Sequence, residues 1–240
     1  MYFPLPIRVN ESVKYVKYHN ITYVVKTYDI TRQYEKGNYR NAIYWLKKGY
    51  EFMPRYITSW SDNFHAQIVM TYEGDSLQER KLNTGIKYDI LNKIIKMFQS
   101  LRENGIYYQD IKPSNICIRL VGNTPLIKLL DVESIKGHSN ANTITYSVKY
   151  ASPEILIKKW HHNSDSWSLG VMLYVLLTGE HPFNWNEVSN KMDDKKYISG
   201  WLSNNVKNID IDKVENLYYR DMISKLLVND ADRRLSIVMI

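Results

Sequence analysis

Cysteine is nearly missing from this chain: Cys117 is the only one in 240 residues, which excludes an internal disulfide and points to a reducing, intracellular setting. Its neighbours, Ile116 and Ile118, make it a buried strand residue rather than a nucleophile. Long apolar runs are missing too. The longest, Leu169–Leu177, is too short to cross a bilayer and reads as a buried helix, so no membrane partner is expected. The opening Met1–Pro6 lacks the basic and apolar segments of a secretory signal. Nor is there a dense Lys/Arg block, since Lys47-Lys48 and Lys158-Lys159 are only pairs. A net charge of +7 therefore carries no specific nucleic-acid signature; it permits an acidic partner but is also what lysine-rich solubility produces. Internal repeats and low-complexity linkers are absent. The expected location is the cytoplasm, or a host cytoplasm or nucleus if the 20 tyrosines and many Asn, Ile and Lys reflect an AT-biased viral genome.

What is present reads as globular, with 44% hydrophobic and 24% charged residues, enough for one large domain or a two-lobed unit. Val13–Tyr18 and Ile21–Tyr28, rich in Val, Ile, Thr and Tyr, predict a hairpin turning at His19-Asn20. A helix is expected over residues 39–48, and strands over Phe52–Ile57 and Gln67–Met70. Ile86, Ile90, Ile94 and Phe98 recur every four positions and predict an amphipathic helix from Gly85 to Asn104. Two further strands, Ile116–Val121 and Leu126–Leu130, end at Asp131-Val132-Glu133.

Between the long helix and that strand pair lies Tyr108-Gln109-Asp110-Ile111-Lys112-Pro113-Ser114-Asn115. A carboxylate, an ammonium and an amide on one short turn suit phosphoryl transfer: Asp110 to accept a proton from an attacking hydroxyl, Lys112 to neutralise growing charge, Asn115 to hold magnesium. The same residue types also make an ordinary surface turn.

The stretch resembles the catalytic loop of the protein kinase superfamily, H-R-D-x-K-x-x-N, and other segments follow in that family's order. Tyr23-Val24-Val25-Lys26 is similar to V-A-I-K, Met70-Thr71-Tyr72-Glu73-Gly74 to the hinge, and Asp131-Val132-Glu133 to D-F-G. Ser147-Val148-Lys149-Tyr150-Ala151-Ser152-Pro153-Glu154, Asp165-Ser166-Trp167-Ser168-Leu169-Gly170 and Asp230–Ser236 are similar to the conserved segments of the larger lobe. The resemblance implies an α+β, two-lobed fold: a small, mostly antiparallel lobe with one helix (1–70), a hinge (71–74) and a larger, mostly helical lobe (75–240). It implies ATP held by Lys26, Val24, the main chain of Thr71, Tyr72 and Glu73, and Ser147. Magnesium or manganese would lie on Asn115 and Asp131, with Asp110 and Lys112 catalytic. It also implies that Asp165 binds catalytic-loop amides and that Arg234 pairs with Glu154.

Several departures from the pattern matter. No glycine precedes Gly37, so the turn at Asn10-Glu11-Ser12 cannot close over phosphates as G-x-G-x-x-G does. Ala42 stands where the small lobe's helix should present the glutamate that pairs with Lys26, which leaves Glu35, Glu51 and Glu133 as substitutes. Gln109 replaces the arginine that receives an activation-loop phosphate, so no such phosphorylation should be needed. Two functions remain open: transfer of the γ-phosphoryl group of ATP to Ser/Thr hydroxyls of a protein substrate, or a pseudokinase that binds or mimics a kinase partner.

Overall fold

Alternating β-branched and aromatic residues form the expected hairpin, β1 (Val13–Tyr18) and β2 (Ile21–Asp29), in a computed structural model describing residues 12–79, 84–122, 124–137 and 145–240. His19 and Asn20 both take positive φ, 47° and 62°, the left-handed pair that matches a two-residue turn to the strand twist. Helix α1 (Gln33–Lys48) follows, then β3 (Tyr56–Ser61) and β4 (His65–Thr71). The sheet order is β1-β2-β4-β3, antiparallel at every step. On one face Tyr23, Val25 and Val69 are buried beneath Val16, Tyr18 and Ile57.

Two elements differ from the sequence reading by four residues or more. The helix starts at Gln33, not at residue 39, because its approach is pinned: Glu35 Oε2 accepts from the Asp29 amide at 2.6 Å and Asp29 Oδ1 from the Thr31 amide at 3.1 Å. Gly37 does not break it, since an interior glycine costs only about 1 kcal/mol. The strand expected over Phe52–Ile57 is instead Tyr56–Ser61, beyond Pro54, which has no amide to give a ladder. Asp62 closes the β3–β4 turn by accepting the Phe64 and His65 amides, each at 2.7 Å.

The remaining elements are β5 (Asp75–Ser76), α2 (Thr84–Glu103), β6 (Ile106–Tyr107), β7 (Ile116–Val121), β8 (Thr124–Leu129), β9 (Lys136–Gly137), α3 (Pro153–Leu156), α4 (Ser164–Thr178), α5 (Lys195–Asn205) and α6 (Leu217–Leu226). Two units result, the α+β organisation anticipated. The first holds the described residues up to Glu79 together with Ile116–Ile135, and the second those of Arg80–Asn115 and Lys136–Ile240. The β7–β8 hairpin groups with the antiparallel unit because β5 pairs with β7 and the Leu129 amide donates to the Phe52 carbonyl at 2.8 Å.

In the helical unit α4 is the buried centre, with every residue from Ser164 to Tyr174 enclosed. Trp167, fully buried, stacks on Phe183 with centroids 5.8 Å apart. No helix among the described residues is long and apolar enough to cross a membrane.

Candidate active site

The loop between β6 and β7 is built on α4. Asp165, in the first turn of that helix, accepts the Tyr108 amide (Oδ2, 3.0 Å) and the Gln109 amide (Oδ1, 3.1 Å), as the sequence led us to expect. Those two bonds hold Gln109 at a φ of 65°, an uncommon conformation for a residue with a side chain. Burial pushes the Asp165 carboxyl above its ordinary value, against the pull of Arg102 and the two amides. Tyr108 is buried with its ring 6.1 Å from that of Phe98 on α2.

Held in this way, the loop turns Asp110, Lys112 and Asn115 onto one another. Lys112 Nζ donates to Asp110 Oδ2 at 2.7 Å, and Asn115 Nδ2 donates to the same oxygen and to the Asp110 carbonyl, both at 2.9 Å. The other carboxylate oxygen, Asp110 Oδ1, is buried and has no hydrogen-bond partner among the described residues. One oxygen is therefore anchored and the other left as a free acceptor. Lys112 Nζ also donates to Ser147 Oγ at 2.7 Å, and Gln109 Oε1 accepts the Thr145 amide at 3.2 Å, so both side chains reach the segment that precedes α3. Part of that segment, residues 138–144, lies outside the described residues, as do Asn10 and Glu11 of the expected turn before β1.

The antiparallel unit carries the other predicted residues. Lys26 on β2 donates to Asp131 Oδ1 at 2.7 Å and to Glu133 Oε1, so of the three candidate substitutes Glu133 is the partner. Burial pulls the Lys26 ammonium down, but the carboxylates of Glu133 and Asp131 outweigh it and leave the group above its ordinary value. Asn41 and Trp45, which the sequence reading passed over, fix the partner segment from α1. Asn41 Nδ2 donates to the Glu133 and Ile135 carbonyls at 2.7 and 2.8 Å, and Trp45 Nε1 to the Ile135 carbonyl at 3.1 Å. Only their i, i+4 spacing on one helix face hinted at a shared target.

Val24 is paired across the ladder with Tyr15 on one side and Met70 on the other. The Tyr15 ring meets that of Tyr72 edge-on, centroids 5.5 Å apart. At the expected hinge the Thr71 amide is taken by the Arg55 carbonyl at 3.0 Å, and Thr71 Oγ1 donates to Glu73 at 2.5 Å. Gly74 has a φ of 107°, and a Cβ there would lie 2.4 Å from the Ile118 carbonyl oxygen, so only glycine lets the chain pass. Cys117 is fully buried on β7 and burial pushes its thiol up to about 12, as an inert strand residue requires.

One long-range ion pair completes the pattern. Arg234 Nη1 and Nη2 reach Glu154 Oε1 and Oε2 at 2.7 and 3.1 Å. A family model described as the protein kinase domain matches residues 11–240. The chain belongs to the protein kinase domain family. Among curated relatives, this kinase domain is similar to a ribosomal protein S6 kinase beta of Caenorhabditis elegans, 31% identical over 151 aligned positions (60% of this chain, 25% of that protein). It is 27% identical over 145 positions (56% and 24%) to a calcium/calmodulin-dependent serine/threonine-protein kinase 1 of Oryza sativa subsp. japonica. A CDPK-related kinase 8 of Arabidopsis thaliana is 24% identical over 244 positions, 94% of this chain and 37% of that protein. The chain thus spans between 24% and 37% of the length of these relatives.

Proposed function

We propose that this kinase domain transfers the γ-phosphoryl group of ATP to Ser/Thr hydroxyls of protein substrates, with the lobes divided at a hinge over residues 71–74. The observation that supports this most is the Asp110 carboxylate, with Oδ2 tied to Lys112 and Asn115 and Oδ1 left buried and free. A free oxygen on an immobilised carboxylate is what a hydroxyl needs in order to be oriented and to lose its proton as it attacks. In this reading Lys112 balances charge on the moving phosphoryl group and Lys26 holds the phosphates. The adenine edge falls to the main chain of Tyr72 and Glu73, the Thr71 amide being occupied, with Val24 against its face. The choice of Ser/Thr over Tyr follows from Lys112 and from Ser147 on its ammonium, and the similar rice protein is a serine/threonine-protein kinase by name.

The donor chemistry suits magnesium or manganese. Asn115 commits Nδ2 to Asp110, which leaves its Oδ1 available, and Asp131 is 46% exposed with one oxygen on Lys26. Such an ion, when bound, supplies neutralisation of phosphate charge.

A second reading, a pseudokinase that captures a partner, draws on Lys26 being engaged by two carboxylates and on Ala42. One experiment separates them: labelled ATP, magnesium or manganese, and basic and acidic protein substrates, with wild type, Asp110→Asn and Asp131→Ala. Labelling by wild type should fall about a hundredfold or more in each variant. Equal labelling in all three, or none in any, would sink the enzyme reading.

A further inference from the structure

We infer that Glu133 is the positioning residue for Lys26, so that the lysine is set by the strand-end segment that also carries Asp131 and not by a carboxylate on α1. This deepens the reading of Lys26 as the phosphate-holding lysine and rests on it.

Ala42, at the helix position where a glutamate was sought, is fully buried and has nothing to offer an ammonium. Glu35 is spent on the Asp29 amide at 2.6 Å and on Arg32 at 3.6 Å. Glu51 has an exposed side chain, and it is its carbonyl oxygen that takes Lys128. Glu133 alone of the three pairs with Lys26, and both side chains are well enclosed, at 15% and 16% exposure. Two charges withdrawn this far from water hold each other's place more firmly than a surface pair would.

The segment around Glu133 is itself immobilised. Asn41 grips the Glu133 and Ile135 carbonyls and Trp45 grips Ile135 again. Asp131 enters the turn at a φ of 47°, so that it and Glu133, two residues on, present their carboxylates to one ammonium. The helix thus reaches Lys26 indirectly, through the main chain it clamps. A rotation of α1 would act on the lysine by moving Glu133, and a substitution at residue 42 would act only by packing.

A double-mutant cycle tests this without relying on turnover. ADP affinity in the presence of magnesium is measured by calorimetry for wild type, Glu133→Gln, Lys26→Met and the double variant. If Glu133 acts through Lys26, Glu133→Gln weakens ADP about tenfold when Lys26 is present. It should cost nothing in the Lys26→Met background, where it even relieves repulsion between Glu133 and Asp131. Equal losses in both backgrounds, or no loss in either, overturn the inference. Glu51→Gln serves as the control and should bind ADP as wild type does. Should wild type bind no ADP at all, it is the proposed function that has failed. The same four proteins still decide the pairing by their melting temperatures, non-additive shifts supporting it and additive shifts overturning it.

Discussion

At the scale of single residues, His181 shows how bonding fixes a protonation state. Its Nε2 donates to the Lys149 carbonyl at 2.9 Å, while Nδ1 accepts the Phe183 amide at 3.1 Å and Trp185 Nε1 at 2.9 Å. Two donors converge on Nδ1, so the ring must be neutral, and burial pushes its value down from 6.5 to about 4. In the unfolded chain the imidazole takes a proton near 6.5. Stability is therefore lost as pH falls from 6.5 to about 4, by up to about 3 kcal/mol, and no further below that. His181→Gln should flatten this part of the curve of melting temperature against pH; parallel curves for the two proteins would refute it. Nothing in the sequence marked His181, because its chemistry depends on the Lys149 carbonyl, 32 positions away, and on how the nearby Phe183 and Trp185 turn back onto the ring. Lys26, Asp110, Lys112, Asn115 and Asp131 could be named as candidates because the resemblance to the kinase motifs points to them residue by residue.

Secondary-structure elements were legible to different degrees. The β1–β2 hairpin and α2 were read to within a residue, since period-two and period-four apolar patterns define them. The start of α1 was not, because Asp29 and Glu35 pin the main chain before it from outside the pattern, and the start of β3 was not, because Pro54 has no amide to give a ladder. Packing between elements was invisible in the same way. A Cβ on Gly170 of α4 would lie 2.9 Å from Leu226 Cβ on α6 and 3.0 Å from Leu227 Cδ2. Gly170→Ala gains about 1 kcal/mol of helix propensity but adds overpacking of about 1–3 kcal/mol, and Leu226 Cβ cannot rotate away. A lower melting temperature is expected, by a few degrees, and an unchanged or raised one would show that α6 yields. Asn41→Ala on α1 keeps both carboxylates but releases the Glu133 and Ile135 carbonyls. It should weaken nucleotide binding with little effect on the helix, measured as ADP affinity beside helical circular dichroism.

For the molecule as a whole, ligand binding and folding are linked. A ligand held only by the folded state at a hundred times its dissociation constant adds about 2.7 kcal/mol, which in a chain of this size raises the melting temperature by roughly 5–10 °C. ATP with magnesium should do this. Asn115→Ala and Asp131→Ala should lose the magnesium-dependent part of the rise while keeping some response to nucleotide alone. A rise unaffected by either substitution would remove both from the metal site. The Glu154–Arg234 pair works at the same scale, joining residues 80 apart. Burial acts to raise the Glu154 carboxyl, but Arg234 outweighs it and holds the group below its ordinary value. Its contribution is therefore present above the ordinary carboxylate range and fades as pH drops through the lowered value. By itself the sequence determined the family and the order of the elements and named candidate residues for the chemistry, because these depend on residue type, local pattern and the order of motifs. Only the tertiary structure decided that Glu133 takes Lys26, that Gln109 takes the Thr145 amide and that Asp110 keeps one oxygen free. Those depend on which atoms, up to 107 positions apart, come within hydrogen-bonding distance, and no local pattern encodes that.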